Sequence, residues 1–168
     1  MTTLKDYILH QLREIKREML AAIEGLAEDD LAWLAAEDQG PIAWIVQHCC
    51  ANVDFFIHKG ITGQFCLEHE PRFLLWPLPP RRPDDAYPPR SELAERWSRL
   101  LDAGAAALES AGAERLQEPS ASSRPPEPLV ESCLRVVNHT NAHLRQLWCI
   151  LGQRRVAGKW PVQETWLA

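Results

Sequence analysis

An all-α fold is predicted: a four-helix bundle of up-down-down-up topology, with a long crossover loop between helices 2 and 3. Three observations in the 168-residue chain predict it. Apolar residues recur every three or four positions in four separate stretches, and no stretch alternates apolar and polar residues as a half-buried strand would. One connection, residues 61–90, is far longer than the roughly 2–8 residues that usually join helices in bundles. A hydrophobic content of 46% at this length suits one core, so residues 1–168 are expected to form a single domain.

The first helix is expected over about 3–24, with Leu4, Ile8, Leu12, Ile15 and Met19 on one face. Thr3 with Asp6 reads as its start, and Gly25 as a stop in the left-handed conformation that closes a last turn. One further helical turn is expected between Asp29 and Ala35. The second helix, about 41–59, opens with Pro41 in its first turn, where a missing N–H is no loss, and ends at Gly60. Its stripe is Ile42, Ile45, Cys49, Asn52 or Val53, and Phe56; Trp44, His48, Ala51 and Phe55 form the adjoining row, which puts His48 at the border of the buried side. The third, about 91–111, starts at a Ser91 cap, turns Leu93, Trp97, Leu100, Leu101, Gly104 and Leu108 inward and stops at Gly112.

The fourth helix, about 129–151, follows Pro128 and turns Cys133, Val136, Val137, Thr140, Leu144, Leu147 and Leu151 inward. A helix of about 18 residues is roughly 27 Å long. The 61–90 connection can travel that far, so helices 2 and 3 are expected to run in the same direction. The Ser- and Pro-rich link 118–128 is expected to be flexible and exposed, and Trp160 and Trp166 to pack over the bundle.

Composition excludes some functions. With a net charge of -5 and a pI near 5.7, the chain lacks the clustered Lys and Arg that phosphate binding needs, so no nucleic-acid partner is expected. Arg81, Arg82 and Arg90 lie in a proline-rich loop and read as solvated. No apolar run approaches the roughly 20 residues that span a bilayer, and the N-terminal segment is charged throughout. A cytoplasmic protein with no membrane partner is the expectation. Five cysteines, two of them the adjacent Cys49 and Cys50, and no CxxC pair fit reduced thiols rather than a disulfide framework or a zinc ribbon. Cys66 and His69 form a CxxH with no second pair to complete a metal site.

The histidines carry the chemistry. Positions i and i+4 of a helix lie one above the other, so His139 and His143 can present two nitrogens to one ion, and His48 is the natural third ligand. Zinc, iron and nickel all accept imidazole, and three protein ligands leave a position open, as catalytic sites do. HxxxH pairs also arise by chance on helices, and a lone histidine such as His48 is more often a core or boundary residue than a ligand, so spacing alone favours ordinary histidines over a metal site. His10, His58 and His69 are expected at the surface.

The segments PIAWIVQHCCANVDFFIHKGITG and RVVNHTNAHLRQLWCILGQ resemble the DinB-like family of metal-dependent enzymes, which includes thiol-dependent S-transferases. Family members carry a histidine in helix 2 after a pattern like "siaWllxH", and an HxxxH in the last helix of an up-down-down-up bundle. The resemblance implies His48, His139 and His143 as metal ligands, with the catalytic group, a water or a thiolate, bound at the metal. It implies a divalent transition metal (zinc, nickel or iron), a low-molecular-weight thiol as cofactor, a small-molecule electrophile as substrate and a homodimer. Many relatives read HxxxHxGQ; here Arg145 stands at the glycine, and its bulk is expected to alter helix packing or the dimer contact.

The same open site suits a metal-dependent hydrolase or a thiol-dependent isomerase, and a non-catalytic, stress-associated metal- or ligand-binding protein is the reading of another class. Asn52, Glu131 and Gln146 are candidates to hold the imidazoles' other nitrogens. Phe73, Trp76 and Tyr87 are candidate pocket walls, and Cys49, Cys50 and Cys133 are expected to be small buried hydrophobes.

Overall fold

In the computed structural model, which describes residues 3–33, 40–69, 71–74, 86–122 and 126–156, four long helices share one apolar core. Helix α1, Leu4–Glu24, opens on the expected signal: the Thr3 hydroxyl accepts from the Asp6 N–H at 3.1 Å while the Asp6 carboxylate accepts from the Thr3 N–H at 2.9 Å. Its end differs from expectation. Gly25 has φ -73°, a right-handed value, because the chain leaves through tightened turn bonds (Leu26 N–H to the Ile23 carbonyl, 3.1 Å) rather than reversing. A 3-10 turn at Glu28–Asp30 stands near the short turn expected at 29–35, of which 34–39 lie outside the described residues.

Helix α2, Ile42–Val53, continues through a π-helical turn, Asp54–Lys59, into a last turn at Gly60–Thr62. Every residue from Ile42 to Asp54 is buried, so α2 is not the striped amphipathic helix its periodicity predicts; other elements enclose it on all sides. Nor does it stop at Gly60. The left-handed residue is Gly63, φ +83°. Gly60 serves close approach instead: a Cβ there would lie 2.9 Å from the Ser120 hydroxyl and 3.2 Å from Leu129 Cδ1.

Helix α3, Arg90–Ser110, starts one residue before the expected Ser91 cap. The Glu28 carboxylate, reaching from the α1–α2 link, accepts from the Arg90 N–H at 3.1 Å and supplies the acceptor that the serine was expected to give. All six residues expected to face inward on α3 are buried, and the Trp97 indole N–H donates to the Lys16 carbonyl at 3.3 Å. Helix α4, Leu129–Val156, runs past the expected Leu151, and each of its expected inward residues is buried.

The link between α3 and α4 is a correction. It carries a 3-10 turn at Ala113–Gln117, pairs Pro119 with Pro128, and buries Ser120 and Ser122, whose hydroxyls meet at 2.8 Å. The Ala121 N–H donates to the Gly60 carbonyl at 3.1 Å, so the link packs against the α2 end at Ser120 and Ser122 while Glu118, Pro119, Ala121 and Pro126 stay exposed as expected. Residues 123–125 lie outside the description, as do Trp76, Arg81, Arg82, Trp160 and Trp166.

Contacts between helices place the site. The start of α1 meets the end of α3, where Lys5 Nζ donates to the Glu109 and Ala111 carbonyls at 2.7 and 2.6 Å. The end of α2 meets the start of α4 at Gly60 and Leu129, and the middle of α2 therefore faces the middle of α4. Helix α2 meets α3 where Ile57 covers Gly104, with Ile57 Cγ2 only 3.1 Å from where a Cβ would stand. Among the described residues there is no strand, and no helix is long and apolar enough to cross a membrane.

Candidate metal centre

Opposed midpoints of α2 and α4 bring His48, His139 and His143 together. One ring nitrogen of each lies within 4.8 Å of the others, and His48 Nε2 and His139 Nε2 are 2.9 Å apart. A tetrahedral ion with nitrogens at about 2.0–2.1 Å needs them about 3.4 Å apart, a value that the 2.9 Å contact and the 4.8 Å limit bracket. The three sequence-predicted ligands thus form one cluster. His10 is exposed and His58 half-buried against the Gln64 carbonyl at 3.0 Å, both away from it.

Two of the rings, His48 and His143, are oriented by residues outside the cluster. His48 Nδ1 lies 2.6 Å from the Phe73 carbonyl oxygen, which can only accept, so Nδ1 carries the proton and Nε2 presents a lone pair toward α4. Trp44, one turn earlier, stacks on the His48 ring at 4.7 Å between centroids. One turn later, the Asn52 amide donates to the His48 carbonyl at 2.9 Å and covers the ring, 3.2 and 3.3 Å from its two nitrogens. On α4, His143 Nδ1 donates to Gln146 Oε1 at 2.9 Å, which leaves its Nε2 unprotonated as well. Of the three residues considered for this supporting task, Gln146 and Asn52 touch imidazoles; Glu131 is exposed near the start of α4.

Burial keeps the cluster neutral. It pulls His48 down to about 4 despite the Phe73 carbonyl, with His143 and His139 adding to the effect, and burial beside His143 pulls His139 down to about 4. His143 is lowered too, by burial, with Gln146 opposing. Three neutral imidazoles whose ring nitrogens converge are a donor set that zinc, nickel or iron accepts, and the fit to a metal is good.

Two neighbours were not anticipated. Asp54 is fully buried at the head of the π-helical turn and accepts from His69 Nε2 at 2.7 Å, which corrects the expectation of a surface His69: its side chain is 3% exposed. The Phe73 carbonyl is a main-chain group, and no side-chain pattern could have announced it. For Asp54 a signal did exist, a carboxylate inside an otherwise apolar helical run. A cavity of about 680 Å³ is lined by Gln47, His69, Phe73, Tyr87, Glu92 and Arg96 among others, so two of the expected pocket walls, Phe73 and Tyr87, do line one; the three histidines do not.

All five cysteines are free, and the three buried ones are chemically quiet. Burial raises the Cys49 thiol well above its usual range and pushes Cys50 and Cys133 up to about 12, so none of these is a thiolate near neutrality. The model of the DinB superfamily matches residues 11–147, a span that includes all three histidines. No curated protein matches the chain.

Proposed function

The chain belongs to the DinB superfamily, and from that premise we propose a metal-dependent enzyme that transfers a low-molecular-weight thiol to an electrophilic small molecule. The observation that carries the metal site is the convergence of His48, His139 and His143 from two helices, two of them with Nδ1 held by a carbonyl oxygen. These three residues would hold one divalent transition metal, zinc, nickel or iron. When bound, such an ion supplies positive charge at which a thiol loses its proton and becomes the nucleophile.

The protein's own part is orientation and exclusion. The Phe73 carbonyl fixes the tautomer of His48, Gln146 fixes that of His143, and Trp44 and Asn52 cover the His48 ring. With Cys49, Cys50 and Cys133 held protonated, the nearby chain offers no nucleophilic thiol of its own, which favours a thiol from solution. A metal-dependent hydrolase would turn over without added thiol, and this separates the two.

The remaining features of this reading are a single domain, a homodimer and a cytoplasmic site of action. An up-down-down-up order fits the contacts: α1 and α3 meet start to end, α2 and α4 meet end to start, and α2 and α3 share the long 61–90 connection. Elemental analysis of the purified protein beside His143→Ala, with circular dichroism on both, tests the site. About one transition metal per chain, lost in a variant that keeps its helical spectrum, is the expected result. A parent that takes up no zinc, nickel or iron after supplementation would end the metal reading.

A further inference from the structure

Between the π-helical turn and the histidine cluster runs a chain of contacts that no ligand motif explains. The carboxylate of Asp54, wholly buried, accepts from three donors on the following loop: the Cys66 N–H at 2.8 Å, the Leu67 N–H at 2.9 Å and His69 Nε2 at 2.7 Å. Burial works against its charge, yet His69 and the two N–H groups outweigh that and hold the carboxyl below the usual carboxylate range. From the other side, Arg96 Nη2 on α3 donates to the Glu68 carbonyl at 3.0 Å. Four positions after His69 in the sequence comes Phe73, whose carbonyl accepts from His48 Nδ1 at 2.6 Å.

We infer that Asp54 is a positioning residue for the histidine site: by pinning residues 66–69 to α2, it sets the Phe73 carbonyl against His48 and so selects the tautomer that leaves His48 Nε2 free. The inference rests on the proposed metal site and adds to it a residue that touches none of His48, His139 and His143. Its logic is one of slack. With the loop pinned at His69, three residues separate the pin from Phe73; unpinned, the tether reaches back to the end of α2 near Gly63, and many more placements of the carbonyl compete. His143 draws its orientation from Gln146 on its own helix and is independent of this loop.

That independence supplies the control. Asp54→Asn keeps the shape but turns one acceptor oxygen into an amide that cannot accept. His69→Ala removes one donor, and His69→Gln restores an N–H near the same place. Long-range nitrogen–proton NMR spectra of the metal-free proteins would read each imidazole's tautomer, and zinc titrations against a competing chelator would read affinity. In Asp54→Asn and His69→Ala, His48 should pass from one tautomer to a mixture while His143 keeps its own, and zinc affinity should fall about tenfold; His69→Gln should recover most of both. The inference is overturned if His48 is unchanged in both of the disrupting variants, or if His48 and His143 change together, which marks general loosening of the fold. A parent that binds no zinc would sink the metal reading alone, since the tautomer comparison needs no metal.

Discussion

At the scale of single residues, the site is a set of decisions about protons. Two imidazoles have a ring nitrogen committed to an oxygen that only accepts, so their other nitrogens are bare before any ligand arrives. Gln146 is the simplest place to test this: Gln146→Ala should weaken zinc binding by about 10- to 100-fold, measured by competition, with the melting temperature of the metal-free protein little changed. The acid dependence follows from the depressed imidazoles. His48 and His139 sit at about 4 in the folded chain against 6.5 for an ordinary histidine, so between those values the unfolded chain binds protons that the folded one refuses. Stability of the metal-free protein should therefore be level above about pH 7, decline as pH falls toward 4, and lose part of that slope in His139→Asn; denaturant melts across the range measure it. The pairing of His139 with His143 was legible because spacing on a helix is a sequence property, and His48 because it borders the buried side of its helix. Phe73 was not, since its contribution is a carbonyl; Asp54 stood out as a carboxylate in an apolar run, but its three partners did not, since they come from a loop whose path no periodicity encodes.

Elements tell a similar story of faces read and ends missed. The buried faces of α3 and α4 were legible residue by residue, because a stripe that must meet a core repeats every turn. Ends were harder. Gly60 looked like a stop and is a contact; Ser91 looked like a cap and yields to Glu28 from another segment. Close packing of α2 on α3 gives a prediction at this scale. Gly104→Val places branched atoms where Ile57 Cγ2 already stands 3.1 Å from the Cβ position, and the helix bodies would have to part. A loss of about 1–3 kcal/mol is expected in denaturant melts. A neutral outcome would mean that Ile57 can rotate away without cost.

At the scale of the molecule, the core draws on all four helices as one cluster, and it does so without the cluster of histidines. Removing metal with a chelator should accordingly leave the helical circular dichroism in place, and adding zinc should raise the melting temperature with concentration, by roughly 2.7 kcal/mol of stabilisation at a hundredfold excess over the dissociation constant. A chain that unfolds on chelation would assign the ion a structural task instead. The all-round burial of α2 reaches further, into how the chain is made. His48 and His139 are 91 positions apart, and at about 5–20 residues per second their meeting waits about 5 to 18 s during synthesis. For that interval the least polar helix of the protein has only α1 and then α3 for company, and the newborn chain is at its most vulnerable to aggregation until α4 leaves the ribosome and closes over it.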